Sequence, residues 1–360
     1  MTSKKNTYRV LGIMSGTSLD GIDIAEITFS STSFHERESG WNFEVGMAET
    51  IPYPSTWRTM LKEAVHFSKG RLQTLNKEYT RYLSEVILKF IATHSIQNLD
   101  AVCSHGHTIL HQPENGITLQ IGNLPEIAEL LQQTVVCDFR VQDVALGGQG
   151  APLVPVGDSL LFSEYDYCLN LGGFANCSFE ENGKRIAYDI CPLNIVLNAL
   201  AEQLDLPYDD KGEIARNGTV DINVLDVLNT LQFYKLQPPK SLGLEWVEQF
   251  IVPIIKKAKI SAEDAIATFT EHVAIQLAKQ FREGSSVLVT GGGAYNDYLL
   301  ERVKFHNKID ITIPNTQLIE FKEALVFGLL GVLRLRDEVN CLASVTGASQ
   351  NHSSGKIFKY

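Results

Sequence analysis

The chain has 360 residues, 44% hydrophobic and 20% charged, with a formal net charge of −11. That length accommodates two domains with substantial cores, and the acidic balance excludes the basic stripe expected of a nucleic-acid-binding protein. Acidic proteins still build local positive clefts, so a nucleotide stays open as a ligand.

The N-terminal Met1-Thr2-Ser3-Lys4-Lys5 is polar, and the apolar segment behind it is soon broken by Gly and Ser, which is no signal peptide. Tyr8 to Met14 is an apolar run that feeds a turn rich in Ser, Gly and Thr, and an alternating run from Ile22 to Phe29 leaves it. This reads as strand, tight turn and returning strand. Two glycines and three hydroxyl residues at the turn offer backbone N–H groups and small donors suited to an oxyanion such as phosphate. Asp20 and Asp23 sit just past it, placed to hold a metal-bound water. An ordinary hairpin with a polar tip is the alternative. A polar insert, Ser30 to Gly40, precedes a third strand, Trp41 to Ile51. Pro52 to Lys69 reads as helical. Leu72 to His94 carries Leu75, Tyr79, Tyr82, Leu83, Val86, Ile87 and Phe90 at helical spacing. Ala101 to Cys103 is a short buried strand ending in a polar loop, Ser104-His105-Gly106-His107-Thr108. A strand at Leu119–Ile121, a helix at Pro125–Gln132 and a strand at Thr134–Asp138 follow. Arg140 to Pro155, rich in Gly and Pro, is an irregular but ordered loop.

From Tyr167 the chain starts again: strand Tyr167–Leu171, turn Gly172-Gly173-Phe174-Ala175-Asn176, returning strand Cys177–Phe179, third strand Ile186–Ile190 and helix Asn194–Leu204. A mainly helical stretch covers 219–283, with Ser261-Ala262-Glu263-Asp264 as a helix start. Strand Ser286–Thr290, turn Gly291-Gly292-Gly293-Ala294 and helix Asn296–Val303 come next, then a last long helix, Glu320–Leu335. The tail from Ser349 is expected to fray. Strands alternating with helices argue an α/β fold. The expected division is 1–160 and 161–360, with the last helix returning to the first lobe. Cys103, Cys137, Cys168, Cys177, Cys191 and Cys341 include no Cys-x-x-Cys pair and mostly lie in apolar runs. They read as buried, reduced thiols, with neither a zinc site nor a disulfide framework expected. The longest apolar run, Ala324–Leu333, falls far short of the roughly 20 residues a membrane span needs. A cytoplasmic location is expected.

Three Gly-rich turns thus follow buried strands, at 15–21, 172–176 and 290–294. Together they suit a polyphosphate clamped from two sides, with the third turn opening a helix whose dipole meets a nucleotide. Neither Gly-x-Gly-x-x-Gly nor Gly-x-x-x-x-Gly-Lys-[Ser/Thr] occurs, so a dinucleotide-dependent dehydrogenase is excluded.

Met14-Ser15-Gly16-Thr17-Ser18-Leu19-Asp20-Gly21-Ile22-Asp23 resembles the signature of anhydro-N-acetylmuramic acid kinases, of the actin-like ATPase and sugar kinase superfamily. The likeness extends through Ser104–Thr108, Asp138-Phe139-Arg140, Asp143–Pro155, Asn170–Asn176, Lys240-Ser241, Gly291–Asn296, Glu323 and Val345–Ala348. The resemblance implies two ribonuclease-H-like lobes with ATP in the cleft between them. The first two hairpins would meet phosphates, and the third turn the adenosine. It assigns Gly16, Thr17, Ser18, Leu19, Asp20, Gly21, Ile22, Asp23, Gly172, Gly173, Gly292, Gly293 and Asn296 to ATP, with Asp20 holding Mg²⁺ through water. It implies that water opens a 1,6-anhydro sugar while the freed O6 takes the γ-phosphoryl group of ATP. The product would be N-acetylmuramic acid 6-phosphate, formed in peptidoglycan recycling, and a homodimer would be the working form.

Within Tyr188-Asp189-Ile190-Cys191-Pro192-Leu193-Asn194, Asp189, Pro192 and Asn194 match the family's catalytic stretch, making Asp189 the general base. Cys191 and Leu193 stand where glycine is expected, adding bulk beside the base. His107 stands where the family commonly has Gln. His105, Thr108, Arg140, Asn194 and Glu323 are assigned to the sugar, Arg140 to its lactyl carboxylate. The alternatives are plain: Asp189 as a turn or cap, Arg140 in an ion pair with Asp138 and Asp143, His105, His107 and His111 as a metal cluster, Glu323 as a helix-start charge. Two rival functions stay open. One is a kinase of the same fold for another anhydro sugar such as levoglucosan. The other is an ATP-binding relative without catalysis.

Overall fold

The computed structural model describes residues 5–16, 19–31 and 40–360. Two compact units divide the chain: Met1–Leu161 with Phe321–Tyr360, and Phe162–Glu320. In the first, β1 (Thr7–Ser15), β2 (Gly21–Ser31) and β3 (Trp41–Pro52) form an antiparallel meander, Met14 opposite Asp23 and Gly21 opposite Pro52. β4 (Ala101–Gln112) runs parallel to β1, and β6 (Val135–Cys137) parallel to β4. β5 (Ile117–Ile121) folds back on β4, and β12 (Lys356–Phe358) closes the edge antiparallel to β6.

The second unit holds β7 (Tyr167–Leu171), β8 (Phe174–Glu181) and β9 (Lys184–Pro192) as another antiparallel meander. β10 (Ser286–Thr290) runs parallel to β7, and β11 (Asp310–Thr312) parallel to β10. The orders β6-β4-β1-β2-β3 and β11-β10-β7-β8-β9 are therefore the same arrangement twice, with the same strand senses. The recurrence read from the two hairpins is present, and the topology is the ribonuclease-H-like α/β arrangement that the family resemblance implies.

Strand alternation explains the first sheet's two faces. Leu11, Ile13, Ile22 and Ile24 are fully buried in one core with Leu75, Tyr79, Leu83, Ile87 and Phe90 of the helix Lys69–Thr93. The intervening positions of β1 meet the helix Thr316–Leu335 instead. There a Cβ on Gly12 would lie 2.0 Å from the Ala324 carbonyl oxygen, so glycine is what lets helix and sheet approach. Gly12→Ala must push backbone against backbone, and a loss of about 3 kcal/mol is expected, read as a lower midpoint in denaturant unfolding. In the second unit Leu169, Leu171, Ile190, Val287 and Val289 pack with Ile266, Phe269, Val273 and Leu277 of the helix Ala262–Ala278. That helix starts as read from sequence, the Asp264 N–H donating to Ser261 Oγ at 3.1 Å.

Three local expectations are corrected. Ser104–Thr108 is no loop but the middle of β4, held by β6 up to Ser104, by β1 up to His107 across an irregularity, and by β5 from His107. Arg140–Pro155 contains the helix Val141–Ala145 and the start of another, Val154–Leu161. The tail does not fray. Ser354 is buried and its hydroxyl donates to the Phe139 carbonyl at 2.6 Å, while the Asn340 amide donates to Leu330 O and Ser354 O at 2.9 Å each. Side-chain bonds to backbone, invisible to composition, hold this polar stretch in place.

Candidate active site

At the end of β1 the Ser15 hydroxyl turns inward. Its Oγ lies 2.5 Å from the Tyr53 hydroxyl, 2.7 Å from the Tyr79 hydroxyl and 3.2 Å from His107 Nδ1. Burial pushes the Tyr53 phenol up to about 12 and His107 down to about 4, so at neutral pH the cluster is uncharged. It braces the root of the hairpin. Gly16 and Leu19 lie beside that tip, the Leu19 N–H donating to Gly16 O at 3.4 Å; Thr17 and Ser18 lie outside the described residues. Asp20 is exposed. Gly21 and Ile22 enter β2, where the Ile22 side chain is core, so these two reach a ligand only through backbone. Asp23 accepts the Thr50 hydroxyl at 2.6 Å.

The same unit gathers a second group. Arg140 Nε donates to His105 Nε2 at 2.8 Å, which fixes the His105 proton on Nδ1, bonded to Gly106 O at 2.8 Å. Burial, and the Arg140 guanidinium next, hold His105 well below the usual imidazole range. Arg140 Nη1 donates to Gly150 O at 2.6 Å. The alternative of an ion pair with Asp138 and Asp143 is not what forms. Asp138 pairs with Lys356 at 2.6 Å, and Asp143 accepts from the Gly150 N–H and the Thr346 hydroxyl, each at 2.7 Å. Arg140 therefore spends its hydrogen bonds on neutral acceptors. Desolvation lowers it to about 10, with Glu323 the largest opposing influence. Glu323 is exposed in part, yet the crowding of protein around it raises its carboxyl, with Arg140 opposing and Asp23 adding to the rise. Thr108 is half-buried and accepts from the Gln120 amide at 3.3 Å. His105, His107 and His111 each have other partners, His111 Nδ1 lying 3.1 Å from Thr118 Oγ1. Among the described residues they form no metal-ligand group.

In the second unit the turn at Gly172-Gly173 and the turn at Gly291–Gly293 meet. A Cβ on Gly291, at φ 81°, would strike Asn170 Oδ1 at 2.6 Å and the Leu171 backbone at 2.9 Å. Asn194 opens a helix, and its amide donates to Leu171 O at 3.2 Å, bracing the end of β7. Asn296 caps the helix Asp297–His306 by accepting from the Leu299 N–H at 2.9 Å. Gly173 and Gly292 differ from Gly291. Both are exposed, and a Cβ on either would meet nothing nearer than 3.9 Å. Packing within the unit does not demand glycine at those two positions, and the space a side chain would take there is open.

Asp189 lies on β9 and is half-buried. Its Oδ2 accepts the Leu242 N–H at 2.8 Å, and its own N–H donates to Lys240 O at 3.2 Å. Burial raises its carboxyl, partly offset by that Leu242 bond. A carboxylate fixed by one oxygen and desolvated is shaped for accepting a proton. Cys191 and Leu193, the bulky replacements, are fully buried. Sequence reasoning missed Tyr53, the part Tyr79 plays beside Ser15, and the Leu242 N–H, none of which carries a motif signal; the Lys240-Ser241 match was the nearest pointer to Leu242. For a hydrated magnesium, exposed Asp20 beside the first turn is a suitable hard-oxygen donor.

A family model for anhydro-N-acetylmuramic acid kinase matches residues 8–360. Relatives with that name include one from Bacillus cereus (strain AH187), 32% identical over 382 residues that span 97% of this chain and 98% of its own. Another, from Francisella tularensis subsp. novicida (strain U112), is 32% identical over 380 residues, 96% of this chain and 97% of its own. Among solved structures, ligand-bound xylulose kinase from Lactobacillus acidophilus covers 98% of this chain and 94% of its own, at 10% identity and a TM-score of 0.45.

Proposed function

The chain belongs to the anhydro-N-acetylmuramic acid kinase family, and from that premise we propose that it opens 1,6-anhydro-N-acetylmuramic acid with water and phosphorylates the freed O6 from ATP. The observation that carries the reading is Asp189, a desolvated carboxylate held by one oxygen on the Leu242 N–H. Asp189 takes a proton from water as its oxygen bonds the anomeric carbon. The C1–O6 bond breaks, O6 attacks the γ-phosphorus, and ADP leaves with the bridging oxygen. Arg140 pairs with the lactyl carboxylate, His105 fixes Arg140, and Glu323 and Thr108 bind sugar hydroxyls. Asn194 acts on the sugar side only through the turn it braces. Gly16, Thr17, Ser18, Gly172 and Gly173 face phosphates, and Gly292, Gly293 and Asn296 the adenosine. Leu19, Gly21, Ile22 and Asp23 shape the first turn. Magnesium held through water by Asp20 supplies positive charge against the β- and γ-phosphates.

No helix among the described residues is long and apolar enough to cross a membrane, and we place the reaction in the cytoplasm, in peptidoglycan recycling, with a homodimer as working form. The test is a kinase assay with ATP, Mg²⁺ and the anhydro sugar in ¹⁸O water, levoglucosan alongside. Label is expected at the anomeric hydroxyl and absent from the phosphate. Label in the phosphate, or faster turnover of levoglucosan, overturns the reading. Because Gly292 is free of packing contacts, Gly292→Ala should leave the melting temperature unchanged while raising the KM for ATP by about tenfold or more.

A further inference from the structure

Cys341 and His352 pair as an isolated antiparallel bridge, each N–H donating to the other's carbonyl at 3.1 Å, which holds their side chains next to each other. Asp143, from the helix Val141–Ala145, meets them there: its Oδ1 lies 3.0 Å from Cys341 Sγ and 3.6 Å from His352 Nε2. All three side chains are buried, at 0, 1 and 6% exposure for Asp143, Cys341 and His352. His352 Nδ1 lies 3.1 Å from Gln350 O, so that nitrogen carries a proton and Nε2 is the one turned to Asp143. Nε2 is buried and has no hydrogen-bond partner among the described residues. Nε2 thus faces a carboxylate oxygen at 3.6 Å with no hydrogen bond between them, an arrangement that calls for a positive charge there, a proton or a metal ion.

We propose that Asp143, Cys341 and His352 form a binding site for one zinc-type divalent metal. The three donor atoms lie within 4.8 Å of one another. A tetrahedral zinc with sulfur at about 2.3 Å and nitrogen or oxygen at about 2.0–2.1 Å separates its ligands by roughly 3.4–3.6 Å, within reach of small side-chain shifts from the 3.0 and 3.6 Å that Asp143 Oδ1 makes to the other two donors. The donor set is one thiolate, one imidazole and one carboxylate, the mixture that zinc takes, and its two negative charges neutralise the ion in a buried place. On binding, the Cys341 sulfur bonds the metal and its proton leaves to solvent. The His352 proton on Nδ1 keeps its backbone acceptor, the usual brace of a metal-bound imidazole. Asp143 Oδ2 keeps the Gly150 N–H. Since the Gly150 carbonyl holds Arg140 Nη1, the metal fastens the segment that positions Arg140. No spacing in the sequence announces this site, because its ligands come from residues 143, 341 and 352.

The test uses the full chain stripped with chelator and titrated with Zn²⁺, and separately with Co²⁺. One metal per chain is expected, with a thiolate-to-cobalt charge-transfer band in the near ultraviolet and a higher melting temperature in Zn²⁺. Cys341→Ser and His352→Gln should each weaken zinc binding by about 100-fold or more, and Cys341→Ser should abolish the cobalt band. Absence of stoichiometric zinc, cobalt bound without the thiolate band, or unchanged affinity in Cys341→Ser would overturn the proposal. If a variant fails to fold, the stoichiometry and cobalt spectrum of the unaltered protein decide alone.

Discussion

Asp189→Asn is expected to lower kcat by about 10³-fold while ATP binding stays within about twofold, measured by steady-state kinetics beside calorimetric titration with ATP. A positioned general base contributes roughly 10² to 10⁴ in rate, and asparagine keeps the acceptor for the Leu242 N–H, so the backbone around β9 has no reason to move. Retained turnover would sink the general-base assignment. The raised carboxyl of Asp189 gives two further readouts. In the unaltered enzyme the acid limb of kcat/KM should fall at a pH above the ordinary carboxylate range, because the base is lost as it protonates. Stability should move the other way. A carboxyl whose folded-state pKa is raised binds its proton more tightly when folded, so its contribution is full at low pH and lost as pH rises through the folded pKa. At neutral pH the ionised carboxylate therefore costs stability, and Asp189→Asn should melt at a higher temperature. That advantage should vanish in acid, where aspartate is itself protonated. A variant that is inactive and more stable at neutral pH is the signature of a carboxylate kept for chemistry.

The hairpins and the repeated sheet were legible because alternation is a local signal. Ile22–Phe29 alternates, and Tyr8–Met14 and Tyr167–Leu171 are short apolar runs that each end in a Gly-rich turn, so the strands and their reversals show before any contact is known. The Gly-rich turns were legible too, though not the division of labour within them. Gly291 is demanded by its φ and by Leu171 behind it, whereas Gly173 and Gly292 leave space. What stayed hidden depends on partners brought from afar. Ser15 reads as a tip donor until Tyr53 and Tyr79 arrive to bury it. Ser104–Thr108 reads as a loop because two histidines and a glycine interrupt the apolar pattern, yet neighbouring strands pair it into β4. Asp138, Arg140 and Asp143 left an ion pair open as the alternative to a substrate contact, and only Lys356 and Thr346, from the far end of the chain, show why Arg140 is left with neutral acceptors.

That freedom of Arg140 sets the last prediction. With 1,6-anhydro-N-acetylmuramic acid, Arg140→Ala should raise KM by roughly 30- to 150-fold, the weight of a charge-assisted contact of about 2 to 3 kcal/mol. With levoglucosan, which has no lactyl carboxylate, any weak turnover should be nearly unchanged. The comparison matters because the substitution also strips His105 Nε2 and Gly150 O of their donor, and lost structure would penalise both sugars alike. A loss shared equally by the two sugars would therefore refute the carboxylate contact and leave Arg140 as a brace. Arg140→Lys should not rescue. A single ammonium cannot keep both His105 and Gly150 while aiming a further donor at a carboxylate, as the planar guanidinium does. Charge alone would survive in that variant, so its failure separates geometry from charge. The Glu323 carboxyl, the largest opposing influence on Arg140, adds the final constraint. Its proximity keeps the guanidinium protonated despite desolvation, so binding of the acidic sugar should hold across the neutral range and weaken only as pH approaches the Arg140 value of about 10. A sugar KM that rises tenfold before pH 8 would show that a group other than Arg140 carries the contact.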